Sequence, residues 1–130
     1  MFCADSSCWV PYLAEESGSD VELIDAHLSN RSIVMCPMVL TELFSDPLRS
    51  DKVKKALLFI PMLELTPEFW ERAGQTRATL VKWQCKPKLA DSLIAQVCID
   101  HNIPLHARDT DFQPFAKYAG LRLVLHGLVN

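Results

Sequence analysis

No stretch of this chain stays apolar for long. Its longest uncharged run is ten residues, Ser32 to Thr41, whereas a helix crossing a bilayer needs about 18 or more. The opening residues Met1-Phe2-Cys3-Ala4-Asp5 have no basic segment and reach an acid at once. No signal peptide is therefore expected, and the expected location is the cytoplasm, away from membranes. Excess basic charge is also missing. Thirteen Lys and Arg stand against sixteen Asp and Glu, a formal charge of −3. That excludes a broadly basic coat for nucleic acid, but leaves room for a local basic patch beside an acidic pocket.

Several chemistries are absent as well. The five cysteines (Cys3, Cys8, Cys36, Cys85, Cys98) form no Cys-x-x-Cys pair and no zinc-finger spacing with histidine. Their odd number without a signal peptide predicts reduced thiols, with Cys36 and Cys98 acting as small buried hydrophobes. There is no glycine-rich phosphate loop followed by Lys-Ser/Thr, no His-Glu-x-x-His and no Gly-x-Ser-x-Gly elbow.

What remains is a core-forming chain of 130 residues, 49% hydrophobic and 22% charged, with no repeat or interdomain linker. One domain over 1–130 is expected. Phe2 to Ala4 reads as a short strand, followed by a helix that Ser6 or Ser7 can cap and by a second helix ending near Asn30. Ser32 to Cys36 is a continuous apolar run, the pattern of a strand covered on both faces. Pro37 suits the first turn of the next helix. A short helix from Ser50 or Asp51, a strand over Met62 to Leu65 and a long helix capped by Thr66 follow. Leu89, Ala90, Leu93, Ile94, Val97 and Cys98 then make one helical stripe. Ile103 to Ala107 reads as a strand, Asp111 to Tyr118 as a short helix and Leu121 to Leu125 as a last strand. Strands alternating with helices predict an α/β fold with a largely parallel central sheet flanked by helices.

In such sheets ligands bind at the carboxyl ends of the strands. Asp5 ends the first strand, Glu42 lies on the helix after the second, and Asp109 and Asp111 follow the Ile103 strand. Asp91 lies on the helix before it. Each has an ordinary reading: Asp5 as a helix cap, Glu42 as a solvated side chain, Asp91 as a first-turn acid, Asp109 or Asp111 as a turn cap. Gathered at one rim, these acids repel one another and need cations, since two carboxylates about 4 Å apart cost roughly 4 kcal/mol at an effective dielectric of 20. Oxygen-only ligation suits Mg²⁺ or Mn²⁺ better than Zn²⁺, and a metal so held supports phosphodiester hydrolysis. His106 stands beside the acidic turn as a possible assistant. Between Arg72 and Lys88 every charged residue is basic (Arg72, Arg77, Lys82, Lys86, Lys88). That stretch is either the solvated face of a helix or a phosphate track. Trp70 and Trp83 bracket it, with core packing the expected role of both.

Four segments carry a family resemblance: Asp5-Ser6-Ser7, Thr41-Glu42-Leu43, Leu89-Ala90-Asp91-Ser92-Leu93-Ile94-Ala95, and Pro104-Leu105-His106-Ala107-Arg108-Asp109-Thr110-Asp111-Phe112. In order and spacing they resemble the motif series of PIN-domain ribonucleases, in particular the bacterial VapC-type toxins of toxin–antitoxin pairs. The resemblance implies a Mg²⁺- or Mn²⁺-dependent endoribonuclease with Asp5, Glu42, Asp91 and Asp109 as its catalytic and metal-binding quartet. Asp111 would be an accessory metal ligand and Ser7 the small hydroxyl residue near the first acid. It also implies a homodimer, a cognate antitoxin protein, and a structured RNA substrate such as tRNA or rRNA. Trp9, Tyr12 and Leu13 are candidate interface positions, and Arg108, Lys86 and Lys88 candidate phosphate contacts. Ala107 departs from the family pattern, which usually has Thr or Ser there, so one hydroxyl near the metal is expected to be missing. Two rivals stand beside this expectation: a non-catalytic RNA- or protein-binding module on the same fold, and a phosphatase or other metal hydrolase. Titration with divalent metal separates the first rival, and small phosphoester assays the second.

Overall fold

Four short parallel strands and seven α-helices make up the computed structural model, which describes residues 1–127. In chain order they are β1 (Phe2–Ala4), α1 (Ser6–Leu13), α2 (Ser19–Ser29), β2 (Ile33–Val34), α3 (Pro37–Phe44), α4 (Asp51–Leu58), α5 (Phe69–Lys82), α6 (Leu89–His101), β3 (Leu105–Ala107), a 3-10 turn (Thr110–Phe112), α7 (Gln113–Ala119) and β4 (Leu123–Leu125). The strand order is β2-β1-β3-β4, every pairing parallel, with Phe2 opposite Ile33, Cys3 opposite Leu105 and His106 opposite Val124. The α/β architecture and parallel sheet agree with the sequence reading.

Burial explains why the strands are so apolar. All three residues of β1 and both of β2 are buried, so both faces are covered by helices and no polar alternation survives. Cys3, Cys36, Leu105 and Ala107 are fully enclosed, together with Trp9, Phe69, Phe112 and Phe115. Trp9 therefore belongs to the core and not to an interface. All five thiols are free, and four are buried. Among the described residues no helix is long and apolar enough to cross a membrane.

The sheet order places a topological switch between β1 and β3. From β1 the chain leaves through α1 and α2 towards β2; from β3 it leaves through α7 towards β4, on the opposite side. The two connections diverge and open a crevice at the carboxyl ends of these neighbouring strands. Asp5 follows β1 directly and donates its backbone N–H to the His106 carbonyl at 2.8 Å, which ties the two strand ends together.

Two local expectations fail for identifiable reasons. Met62 to Leu65 is no strand: only Met62 bridges, to Met35, through Met35 N–H to Pro61 O at 2.8 Å and Leu63 N–H to Met35 O at 2.9 Å. Pro61, Met62, Glu64 and Leu65 are exposed, so no buried face extends the pairing. Thr66 does not cap α5 either. That helix begins at Phe69 after Glu68 in a left-handed conformation, while the Thr66 hydroxyl donates to Asp100 at 3.1 Å. Arg72 bridges to the same Asp100, so a tertiary charge pair takes the hydroxyl that a cap needed.

Candidate metal centre

Each acid reaches the crevice by a different local device. Asp5, 4% exposed, caps α1: its Oδ2 accepts from the Ser7 N–H at 3.1 Å and the Ser7 hydroxyl at 2.6 Å. The two readings of Asp5, cap and rim acid, hold together. Asp91 stands in the first turn of α6 and is buried. Asp109 caps the 3-10 turn, its Oδ1 accepting from the Asp111 N–H at 2.8 Å. That short turn swings Asp111 back alongside Asp109.

The result is a cluster in which ligand oxygens of Asp91, Asp109 and Asp111 lie within 4.8 Å of one another. Asp5 borders it closely enough to feel the charges of Asp109 and Asp91. Glu42, on α3, is exposed and couples to Asp5 alone among these acids. Of the five sequence-derived acids, Asp91, Asp109 and Asp111 thus form one cluster, running from buried Asp91 to exposed Asp111, with buried Asp5 beside it and exposed Glu42 next to Asp5.

The electrostatics are those of a site short of positive charge. Burial, then Asp109 and Asp5, push the Asp91 carboxyl up to about 6, against a smaller opposing effect of Lys88. Burial also raises Asp5, and Asp109 adds to it, although the Ser7 hydrogen bonds pull the other way. Glu42 is raised by partial burial and then by Asp5. A helix N-terminus ordinarily stabilises a carboxylate; at Asp91 burial and like charge override it. Asp91 Oδ2 is buried with no hydrogen-bond partner, which is costly for a polar oxygen. A buried carboxylate oxygen without a partner, on a residue of an all-carboxylate cluster, fits a hard divalent cation. The nearby thiols do not compete as ligands, since burial pushes Cys36 up to about 12 and raises Cys8 too.

Several neighbours have contacts that the sequence did not reveal. Arg108, expected on phosphate, is committed to Asp20 through two bonds, Nε to Oδ2 at 2.7 Å and Nη2 to Oδ1 at 2.9 Å. Asp20 is 2% exposed, and the guanidinium holds its carboxyl down at about 2. The Arg108 backbone N–H donates to Ser7 Oγ at 2.9 Å, and the Ser7 hydroxyl donates in turn to Asp5. Asp20, Arg108 and Ser7 therefore brace the first acid from behind. Gly18 is required by close approach, because a Cβ there would lie 2.7 Å from Asp20 Oδ1 and 2.8 Å from Arg108 Nη2. His106 faces none of the acids. Its Nδ1 lies 2.7 Å from His126 Nε2, and its ring packs on Phe2. Burial, then His126, lowers it to about 4, so it is neutral at physiological pH.

The basic stretch is divided. Arg72 pairs with Asp100, the Arg77 Nε donates to the Pro87 carbonyl at 3.2 Å, and Lys88 Nζ meets Asp111 at 3.0 Å. Trp70 and Trp83, expected in the core, are each 60% exposed.

A parallel α/β sheet with acids clustered at its switch point defines a carboxylate-rimmed α/β domain. The PIN domain model matches residues 2–120, and the chain belongs to the PIN-domain family. None of the curated proteins matches it in sequence. In fold it is similar to VapBC2 from Rickettsia felis, solved bound to a DNA fragment from its promoter, with TM-score 0.74, 18% identity, and 95% and 97% of the two chains covered. FitAcB from Neisseria gonorrhoeae gives TM-score 0.72 at 17% identity, covering 95% and 96%. VapBC-1 from nontypeable Haemophilus influenzae gives 0.71 at 18%, again covering 95% and 96%.

Proposed function

We propose that residues 1–130 form a Mg²⁺- or Mn²⁺-dependent endoribonuclease that acts as the toxin of a toxin–antitoxin pair. The observation that carries the proposal is the packing of Asp91, Asp109 and Asp111 within 4.8 Å at the switch point, with an unpartnered buried oxygen on Asp91. Asp5, Asp91 and Asp109 would hold the metal, with Asp111 as an accessory ligand. A bound divalent cation supplies Lewis-acid stabilisation of charge on the scissile phosphate. Glu42 completes the rim and orients the attacking water: one P–O bond forms from water and one ester bond breaks. Its raised carboxyl suits a proton acceptor working nearer neutrality than a free glutamate. Ser7 and Arg108 keep Asp5 in place.

The toxin reading is supported by the fold neighbours, which include a toxin–antitoxin complex from Klebsiella pneumoniae and a member of the VapBC family of toxin–antitoxin systems from Mycobacterium tuberculosis. On this reading the partners are a cognate antitoxin and a second copy of the chain, the substrate is a structured RNA such as tRNA or rRNA, and the site of action is the cytoplasm. The test is a cleavage gel of partner-free protein with total tRNA and rRNA in Mg²⁺ or Mn²⁺. Discrete fragments that vanish with EDTA and with Asp91→Asn are expected; cleavage that survives Asp91→Asn overturns the assignment.

A further inference from the structure

The loop Lys86-Pro87-Lys88 that leads into α6 is pinned along its length. Just upstream, Trp83 at the end of α5 stacks on Tyr118 of α7, with ring centroids 5.3 Å apart and planes within 8° of parallel. The Pro87 carbonyl accepts from Arg77 Nε on α5 at 3.2 Å. The Lys88 carbonyl accepts from the Ser92 N–H at 3.1 Å and from the Ser92 hydroxyl at 2.8 Å, and Ser92 is fully buried. Lys88 immediately precedes α6, three positions ahead of Asp91. Its backbone is therefore held beside the acid cluster, and its side chain is the part left free to move.

That side chain crosses to the opposite wall. Lys88 Nζ lies 3.0 Å from Asp111 Oδ2, and Asp111 shares the cluster with Asp91 and Asp109. The neighbouring arginines are committed elsewhere: Arg108 to Asp20, Arg72 to Asp100 and Arg77 to the Pro87 carbonyl. Burial and the surrounding acids push the Asp91 carboxyl up, and Lys88 is the cation that pulls it down. An isolated exposed Lys–Asp pair contributes little. Here one ammonium stands at the edge of four carboxylates, those of Asp5, Asp91, Asp109 and Asp111, and partly relieves their repulsion. Lys88 and Asp111 are 68% and 50% exposed and both line an open depression of about 530 Å³. The ammonium thus has solvent to withdraw into, and ions have a way in.

We infer that Lys88 is a built-in counter-ion of the carboxylate cluster: in the metal-free protein its ammonium neutralises Asp111, and a divalent cation entering the cluster displaces it. The inference rests on the metal-dependent reading of the site and adds its regulation. Metal uptake becomes an exchange, in which one tethered positive charge leaves Asp111 and two arrive among the acids. A monovalent ion brings no more charge than the ammonium it would displace, whereas a divalent ion brings twice as much to a group of acids short of it. Lys88 therefore lowers the affinity for metal and biases the cluster towards divalent ions. Asp111 is the residue at which the exchange takes place.

Isothermal titration of the full chain with Mn²⁺, at low ionic strength and without RNA, tests this directly. Lys88→Gln should bind Mn²⁺ roughly threefold to tenfold more tightly than the parent, the size of a screened repulsion between an ammonium and a divalent ion across one carboxylate. A merely structural role for Lys88 would weaken binding instead. Lys88→Arg keeps the charge and should restore the parent's affinity. In an Asp111→Asn background, where the ammonium has lost its partner, Lys88→Gln should gain much less. Equal or weaker affinity in Lys88→Gln, with the parent binding Mn²⁺ and Asp91→Asn not binding it, overturns the counter-ion and leaves the metal centre standing. An undiminished gain in the Asp111→Asn background overturns the exchange at Asp111. No uptake of Mn²⁺ by the parent removes the metal centre itself, and the exchange with it.

Discussion

Replacing Asp91 by Asn should stabilise the metal-free protein while destroying its metal response. Without a cation, the Asp91 carboxyl ionises only at about 6 in the folded state, against 3.8 ordinarily. At neutral pH that difference corresponds to an upper bound of about 3 kcal/mol against folding, because each pKa unit is worth about 1.36 kcal/mol. The direction follows from proton binding. Below 3.8 the carboxyl is protonated in both states and there is no penalty; between 3.8 and about 6 the unfolded chain ionises first and the penalty grows; above about 6 it is complete. An asparagine never ionises, and its amide can donate to the neighbouring carboxylates. After allowance for local relaxation, Asp91→Asn should gain about 1–3 kcal/mol, or roughly 3–10 °C in melting temperature for a domain of this size. Calorimetry in EDTA near neutral pH and near pH 4 reads both terms. The variant should melt above the parent near neutrality and converge with it in acid. Saturating Mn²⁺ should raise the parent alone, since a ligand that binds only the native state stabilises it. An Asp91→Asn protein that melts at or below the parent at neutral pH refutes the argument, because the rim would then hold no repulsion for a cation to relieve.

Other consequences follow from the bracing network and the histidines. Asp20→Asn leaves Arg108 without its anion and should cost about 2–4 kcal/mol in urea unfolding, the lower part of the range for a broken buried pair because Arg108 is partly exposed. Ser7→Ala removes the acceptor of the Arg108 N–H and the hydroxyl hydrogen bond to Asp5, while the backbone N–H bond to Asp5 remains. It should cost about 1–3 kcal/mol and weaken Mn²⁺ binding in calorimetric titration, with Ser7→Thr restoring both. His106, lowered to about 4 from 6.5, contributes stability that is complete above 6.5 and is lost as pH falls towards 4. Melting of His106→Gln across that window should therefore fall less steeply than melting of the parent, and equal slopes would contradict the burial of a neutral imidazole.

How much of this was legible depends on how local each signal is. Asp5 was readable because it directly follows the uniformly apolar, buried β1, and Asp109 because it follows β3, whose Leu105 and Ala107 are buried; a parallel sheet delivers such positions to one rim. Asp91 was a candidate from its place at the edge of the apolar stripe on the helix before the Ile103 strand, but the stripe alone does not say that an edge acid turns inwards; the motif resemblance added that. The strand expected over Met62 to Leu65 failed because apolar letters were taken for a buried face, and neither Met62 nor Leu65 is covered. Asp20 gave no signal at all. As a first-turn acid it looks like dipole complementation, and its partner Arg108 is 88 positions away. The same distance effect hides the His106–His126 pair and the placement of Tyr118 on Trp83. Pairings between remote segments are decided by how the helices stack on the sheet, which single-chain periodicity does not encode.

Whether the carboxylate rim takes up a divalent ion is decided most directly by anomalous diffraction from crystals of the partner-free protein equilibrated with Mn²⁺. An anomalous peak in contact with the carboxylates of Asp91 and Asp109, absent from Asp91→Asn crystals, is the predicted result. A peak elsewhere on the molecule, or none at saturating Mn²⁺, would contradict a metal centre at this switch point and with it the hydrolytic function proposed for the chain.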